Sequence, residues 1–216
     1  IWHTRGAWLK PARLVQSWLL QPGVTFQGKA QVSTMRRNGD EWELLGAQGQ
    51  ILTRASRVVF ANASAALPQL EKLQTTLPGL LIKQLPAMQG VRGLLSWAMH
   101  PGAPVATFPP FPVNGAGSVI HMVPMNGGAA WFVGSSYQPD NRPPSPDEKN
   151  HAANLERLKK LIPSLGHALA SQFAPGLIHA WKNTRCVTRD RLPVVGPLYK
   201  ADQPSLWICA GMGSRG

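Results

Sequence analysis

Two short segments near the end of the chain carry residue types that neither a core nor a plain surface loop requires. The first, Arg185-Cys186-Val187-Thr188-Arg189-Asp190-Arg191-Leu192-Pro193-Val194-Val195-Gly196, sets three arginines around a Thr and an Asp and then runs into an apolar strand pattern. A guanidinium presents a planar pair of N–H donors that matches a carboxylate, so an arginine here could hold an acidic substrate by a two-pronged contact. A charged, solvated loop before a strand is the plainer alternative. The second segment, Gly211-Met212-Gly213-Ser214-Arg215-Gly216, is a literal G-x-G-x-x-G directly after the apolar run 206–210. Glycine tolerates positive φ and has no Cβ, so such a turn lets the backbone approach a flat or anionic ligand. As a pyrophosphate fingerprint the match is weak, because the helix and the acidic residue about 20 positions on that would complete it lie past residue 216.

Other chemistries find little support. Cys186 and Cys209 have no partners at metal-ligand spacing and read as reduced, partly buried thiols. His3, His100, His121, His151, His167 and His179 are scattered and read as surface or satisfied core residues. No Ser, His and Asp arrangement suggests a nucleophilic triad, and the phosphate loop G-x-x-x-x-G-K is absent. The 22 Lys and Arg exceed the 10 Asp and Glu for a net charge of +12, which favours a polyanionic partner such as nucleic acid, with plain solubility as the competing explanation. Aromatic residues do not interleave with the basic ones along the sequence as they would in a stacking platform. No run reaches the roughly 18 apolar residues a membrane span needs, and the N-terminus lacks a secretory pattern, so a soluble, cytoplasmic protein without membrane contact is expected. Both ends are abrupt and without polar tails, as in a piece of a longer protein.

The elements that would position these segments follow from periodicity. Leu14, Val15, Trp18 and Leu19 fall at helical spacing after Pro11, predicting an amphipathic helix over 11–20. Segments 24–26, 30–36, 42–45 and 51–52, with turn signals at Asn38-Gly39-Asp40 and 46–49, predict an antiparallel meander. The continuous run 57–63 predicts a strand buried on both faces. Residues 64–90 read as a helix and loops broken by Pro68, Pro78 and Pro86. Strands are expected over 93–99, 118–124 and 129–136. Ser145-Pro146-Asp147-Glu148 has the form of a capping box opening a helix to about Leu161, and after Pro163 a second piece carries Leu165, Leu169 and Phe173 on one stripe. Strands are expected again over 178–183, 192–195 and 206–210. The fold class is α+β: a mixed, mainly antiparallel sheet with flanking helices.

The two chemical segments resemble the closing half of the D-amino-acid oxidase family, whose members share R-x-x-T-x-D-x-x-P-x-x-G followed by an A-G-x-x-x-x-G flavin turn. The forms R-C-x-T-R-D-R-L-P-x-V-G and G-x-G-S-R-G are similar to the oxidoreductase half of bifunctional members that finish a modified uridine in transfer RNA. Gly6-Ala7-Trp8-Leu9-Lys10-Pro11, Ala61-Asn62-Ala63 and Val91-Arg92-Gly93 are similar to the family's pre-helix turn, strand-end flavin turn and strand start, which extends the resemblance over nearly the whole chain. Ala7 and Leu94 depart from the usual Gly and Gln. The family's opening strand with its own G-x-G-x-x-G for the FAD pyrophosphate is not among these residues.

The resemblance implies FAD as cofactor, weakly retained by these residues alone. It implies a substrate domain over 84–200, parts of the FAD-binding domain over 1–83, and a return strand with a flavin-contact turn over 201–216. Arg185 would anchor the substrate carboxylate. Arg215 and the amides of Gly213 and Ser214 would face the flavin ring, and Ala61, Asn62, Gly211 and Gly216 would complete the cofactor contacts; Trp8 is a possible lining residue. The implied reaction removes the carboxymethyl group from carboxymethylaminomethyl-(2-thio)uridine at the tRNA wobble position. The implied partners are tRNA and the remaining FAD-binding and methyltransferase segments of the same chain. Two alternatives stay open: a glycine- or sarcosine-type amino-acid oxidase, which leaves the charge unexplained, and a non-catalytic basic RNA-binding fragment, which leaves the glycine turn unexplained.

Overall fold

The computed structural model describes residues 7–77, 79–100, 108–199 and 205–213. Its elements begin with helix α1 (Pro11–Leu19), strands β1 (Thr34–Asn38), β2 (Glu41–Leu45), β3 (Ile51–Ala55) and β4 (Val58–Phe60), and helix α2 (Ala66–Gln74). Strands β5 (Met88–Met99), β6 (Val113–Asn114), β7 (Ser118–Met125), β8 (Gly128–Gly134) and β9 (Gln138–Pro139) follow. Helices α3 (Asp147–Leu161) and α4 (Pro163–Ala168) precede strands β10 (His179–Thr188), β11 (Val194–Pro197) and β12 (Leu206–Ala210). The fold is α+β, and it divides into two compact units: 1–22 with 92–184, and 23–91 with 185–216. These change over at 22/23, 91/92 and 184/185, whereas the sequence-drawn boundaries lie at 83/84 and 200/201.

In the unit formed by 23–91 and 185–216, β1, β2 and β3 make an antiparallel meander, closed at its first turn by Gly39 and Asp40 with Asn38 paired to Glu41. The expected strand at 24–26 does not form; Val24 and Phe26 are exposed loop residues with no ladder partner. A second sheet has the order β11-β12-β4, antiparallel between β11 and β12 and parallel between β12 and β4. Strand β4 lies at the end of this order among the described residues, and Val59 is 56% exposed, so the expected burial on both faces is not realised. Pro68 lies in the first turn of α2, where its missing N–H breaks no helical bond. Trp42, Leu70, Leu198, Leu206 and Ile208 fill the core, and Trp42 Nε1 donates to Ser205 Oγ at 3.1 Å. Glu43 is buried in the meander and accepts from Arg36 Nε (2.8 Å), Asn38 Nδ2 (3.0 Å) and Arg54 Nε (3.1 Å). These contacts, with the Asn38 hydrogen bond foremost, lower its pKa to about 2.

The unit formed by 1–22 and 92–184 is built on a sheet of order β10-β5-β8-β7-β6, with β9 paired to β5. Alternation sends Ser96, Ala98, Trp131, Val133 and Val119 to one face, where Leu158 of α3, Leu165 of α4 and Leu169 just after α4 cover them. Helix α3 starts at Asp147 rather than at the expected capping box: Ser145 makes no side-chain cap, and its N–H donates to Gln138 Oε1 at 3.0 Å. Helix α1 forms as expected, yet none of its residues is buried, and Leu14, Val15 and Trp18 are exposed. Among the described residues no helix is long and apolar enough to cross a membrane.

Candidate functional site

The pattern of residues 178–183 predicts a strand that ends before Arg185; the structure continues it as β10 through Thr188. Arg185 therefore sits on a strand, partly buried, and not in a solvated loop. The turn after it is tied by the very Thr and Asp of the sequence string. Thr188, 1% exposed, donates its hydroxyl to Leu192 O at 2.7 Å, and the Arg191 N–H donates to Thr188 O at 3.1 Å. Asp190 accepts the Leu192 amide at 3.0 Å, and that hydrogen bond leads the causes that hold its carboxyl below the usual range. Arg191 takes the left-handed φ of 62° in this turn, and Arg189 is exposed.

The glycine turn packs against the same strand. Met212 bridges to Val187, and Gly213 N–H donates to Cys186 O at 3.0 Å, one residue from Arg185. That amide is therefore hydrogen-bonded within the protein. Gly211 (φ 69°) and Gly213 (φ 55°) both take conformations that favour glycine, and a Cβ on Gly211 would lie 2.8 Å from the Thr188 methyl. Ser214, Arg215 and Gly216 lie outside the described residues.

Ala61 and Asn62 leave the carboxyl end of β4, and Gly211 leaves the carboxyl end of β12. Because these strands are parallel, with Ile208 opposite Phe60, both chain segments exit at one sheet edge. The carboxyl edge of parallel strands is where open α/β sheets receive ligands. Ala61 and Asn62 are exposed there, while Asn62 Nδ2 is held by Gln69 Oε1 at 2.9 Å. Small residues at a strand end, with an open edge and a positive-φ glycine turn beside them, fit the ring-side contacts of a flat cofactor.

In the other unit, Leu94 is 3% exposed and in the core, so this departure from the family pattern is a packing residue. Arg92 donates to the carbonyls of Arg142 and Asp140 and lines a cavity of about 280 Å³ with Gly93, Ser136, Gln138, Asn150 and Lys182. Lys182 pairs with Asp147 at 2.7 Å. Trp8 lines a separate hollow with Pro110, Phe111, Pro112, His121 and Met122. His151 is a satisfied core residue: its Nδ1 lies 2.8 Å from Ser96 Oγ, and burial leads the causes that lower its pKa. Among the described residues no group of His, Cys, Asp and Glu could hold a metal ion, and Cys186 and Cys209 are free.

Sequence reasoning missed the face of the larger sheet opposite the helices. Leu95, Trp97 and Met99 of β5 pair with Gly134, Phe132 and Ala130 of β8, and most of these side chains are only half-buried. Trp97 stacks on Phe132 and packs at a tilt against His179. The only trace in the sequence is apolar alternation within each strand; nothing local reveals the pairing.

Known proteins resemble this chain in sequence and in fold. The family described as FAD dependent oxidoreductase matches residues 1–216. The chain is 63% identical to the tRNA 5-methylaminomethyl-2-thiouridine biosynthesis bifunctional protein MnmC of Albidiferax ferrireducens and 41% identical to the protein of that name from Polaromonas naphthalenivorans. All of this chain is covered in both cases but only 36% and 33% of those proteins, so it spans about a third of the length of the curated relatives it matches. The crystal structures of glycine oxidase from Bacillus cereus ATCC 14579 and from Geobacillus kaustophilus match with TM-scores of 0.58 and 0.57 at 15% and 18% identity. They cover 86% and 85% of this chain and 45% and 42% of their own, a likeness of fold.

Proposed function

Because the chain belongs to the FAD dependent oxidoreductase family, we propose that it forms the substrate-side part of an FAD-dependent amine oxidoreductase that removes the carboxymethyl group from carboxymethylaminomethyl-(2-thio)uridine at the wobble position of tRNA. The observation that carries this reading is the 63% identity, over the whole chain, to a protein named for the biosynthesis of 5-methylaminomethyl-2-thiouridine in tRNA. We take the second activity in that bifunctional name to be methylation of the released amine by a methyltransferase domain elsewhere in a cytoplasmic parent.

The chemistry supplied by bound FAD is hydride acceptance from the carboxymethyl carbon, so that hydrolysis releases glyoxylate and leaves an aminomethyl group. Arg185 would grip the substrate carboxylate with its two parallel donors. Its place on β10, with the neighbouring Cys186 carbonyl bound by the Gly213 amide, restricts how far that anchor can drift. Ala61, Asn62, Gly211 and Gly213 would approach the ring, Ser214 and Gly216 would continue the turn, and Arg215 would favour negative charge beside it. Tight retention of the dinucleotide would rest on segments of the parent outside these 216 residues. The excess of basic residues would steer tRNA to the protein by phosphate contacts.

The test is Arg185→Lys in the full-length parent, read by glyoxylate release from modified tRNA. A point ammonium cannot reproduce the two-pronged contact, so kcat/KM is expected to fall about 30-fold to several thousandfold, equivalent to roughly 2 to 5 kcal/mol, with flavin content unchanged. Arg189→Lys, at the exposed turn, serves as control. An unchanged rate in Arg185→Lys together with a lost rate in Arg189→Lys would move the anchor to Arg189.

A further inference from the structure

The end of β10 and the glycine turn lie against each other in a fixed register. Val187 bridges Met212 in antiparallel fashion, which sets Thr188 opposite Gly211 and Cys186 opposite Gly213. Two contacts follow that register: the Gly213 N–H donates to Cys186 O at 3.0 Å, and a Cβ on Gly211 would lie 2.8 Å from the Thr188 methyl. Glycine at 211 therefore lets the Thr188 side chain lie directly against the turn. By alternation along β10, Cys186 and Thr188 share the buried side, while Arg185 and Val187 share the other and are half-buried.

Thr188 is tied on its far side as well. Its hydroxyl donates to Leu192 O at 2.7 Å, its carbonyl accepts the Arg191 N–H at 3.1 Å, and Asp190 Oδ1 accepts the Leu192 N–H at 3.0 Å. The side chain is 1% exposed, its one donor is used, and its methyl meets a glycine backbone, so it has little freedom to rearrange. The oxidation chemistry has no use for a buried hydroxyl satisfied in this way. Yet it stands three residues from Arg185, about 10 Å along an extended strand.

We infer that Thr188 is a positioning residue for Arg185: it clasps the end of β10 to the glycine turn, so that the carboxylate anchor and the turn are held as one piece. This rests on the reading of Arg185 given above. A two-pronged contact tolerates little misalignment, and a shift of about 1 Å can cost about 100-fold in rate. A loosened strand end is thus felt at the carboxylate although no group that touches it has changed.

The experiment uses the full-length, FAD-loaded parent. It reads the affinity for glycolate, a small carboxylate probe, by isothermal titration calorimetry, beside glyoxylate release from modified tRNA per bound flavin. Thr188→Val keeps the branched shape but loses the tie to Leu192, and should lower kcat/KM about 10- to 100-fold with a matching rise in the glycolate Kd. Thr188→Ser keeps the hydroxyl and should stay near wild type. In an Arg185→Lys background Thr188→Val should cost little more, because the contact it aligns is already lost. Asp190→Ala loosens the same turn from its exposed side and should shift Kd in the same direction by a smaller factor; it decides the matter should Thr188→Val fail to fold. Loss of folded protein alone reduces the number of binding sites and leaves Kd where it is. An unchanged Kd in both Thr188→Val and Asp190→Ala, or an equal Thr188→Val penalty with and without Arg185→Lys, would therefore overturn the role of Thr188. Equal glycolate affinity in wild type and Arg185→Lys would instead sink the anchor reading, and this inference with it.

Discussion

Replacing Gly211 by Ala tests how the glycine turn is held against the strand that carries Arg185. Two costs add. An L-residue at a φ of 69° pays roughly 1–2 kcal/mol for the left-handed conformation. The new Cβ would also lie 2.8 Å from Thr188 Cγ2, well inside van der Waals contact, and forcing a methyl into a packed site costs about 1–3 kcal/mol. Thr188 has little room to yield: it is 1% exposed, and its hydroxyl donates to Leu192 O at 2.7 Å, so rotation would forfeit a bond worth about 0.5–1.5 kcal/mol. Gly211→Ala is therefore expected to destabilise the unit by about 2–5 kcal/mol. Thr188→Ser removes the obstructing methyl and keeps the hydroxyl, so the double variant should recover the packing part and retain only the backbone cost of about 1–2 kcal/mol. Gly196 supplies the control, because a Cβ there meets nothing within 4 Å, and Gly196→Ala should stay within about 0.5 kcal/mol of wild type. Urea unfolding followed by tryptophan fluorescence measures all four, with Trp42 and Trp207 reporting on this unit. Additive effects of Gly211→Ala and Thr188→Ser, or a Gly211→Ala change below about 0.5 kcal/mol, would refute the packing argument.

Glu43 holds a pKa lowered to about 2, so its contribution to stability is fully present above the ordinary carboxylate range and is lost as pH falls toward that value. Glu43→Gln is expected to lower the thermal midpoint at neutral pH and to flatten the acid limb below pH about 4.3; an unaltered acid limb would argue against the ion cluster. His151 is lowered by burial, an effect that Asp147 and Glu148 oppose, so the unfolded chain takes the proton more readily. Stability should be full above pH about 6.5 and decline as pH falls below it. His151→Gln should reduce that decline in thermal melts without abolishing it, because burial and the nearby His121 lower the pKa of His100 as well; a steeper decline would contradict the sign.

Local pattern was enough for α1, whose four apolar residues and Pro11 announce it, for the hairpin turn at Gly39 and Asp40, and for β12, an unbroken apolar run. It was also enough to single out Arg185 and the glycines at 211 and 213, since residue chemistry and glycine content are properties of the chain itself. It failed where the deciding partner is distant in sequence. Val59 reads as buried because its neighbours are apolar, but burial depends on what packs against the face its side chain points to, and Val59 is 56% exposed. Ser145 reads as a cap because the spacing is right, yet Gln138 offers its N–H a different partner. Thr188 and Asp190 read as part of the chemical segment around Arg185, whereas the fold uses both side chains to tie one tight turn, Thr188 buried and Asp190 exposed. The ring contacts of His179, Trp97 and Phe132 have no local trace either, for strand order and register are settled by how whole strands bury their apolar faces together, and a one-residue shift would send each ring to the opposite face.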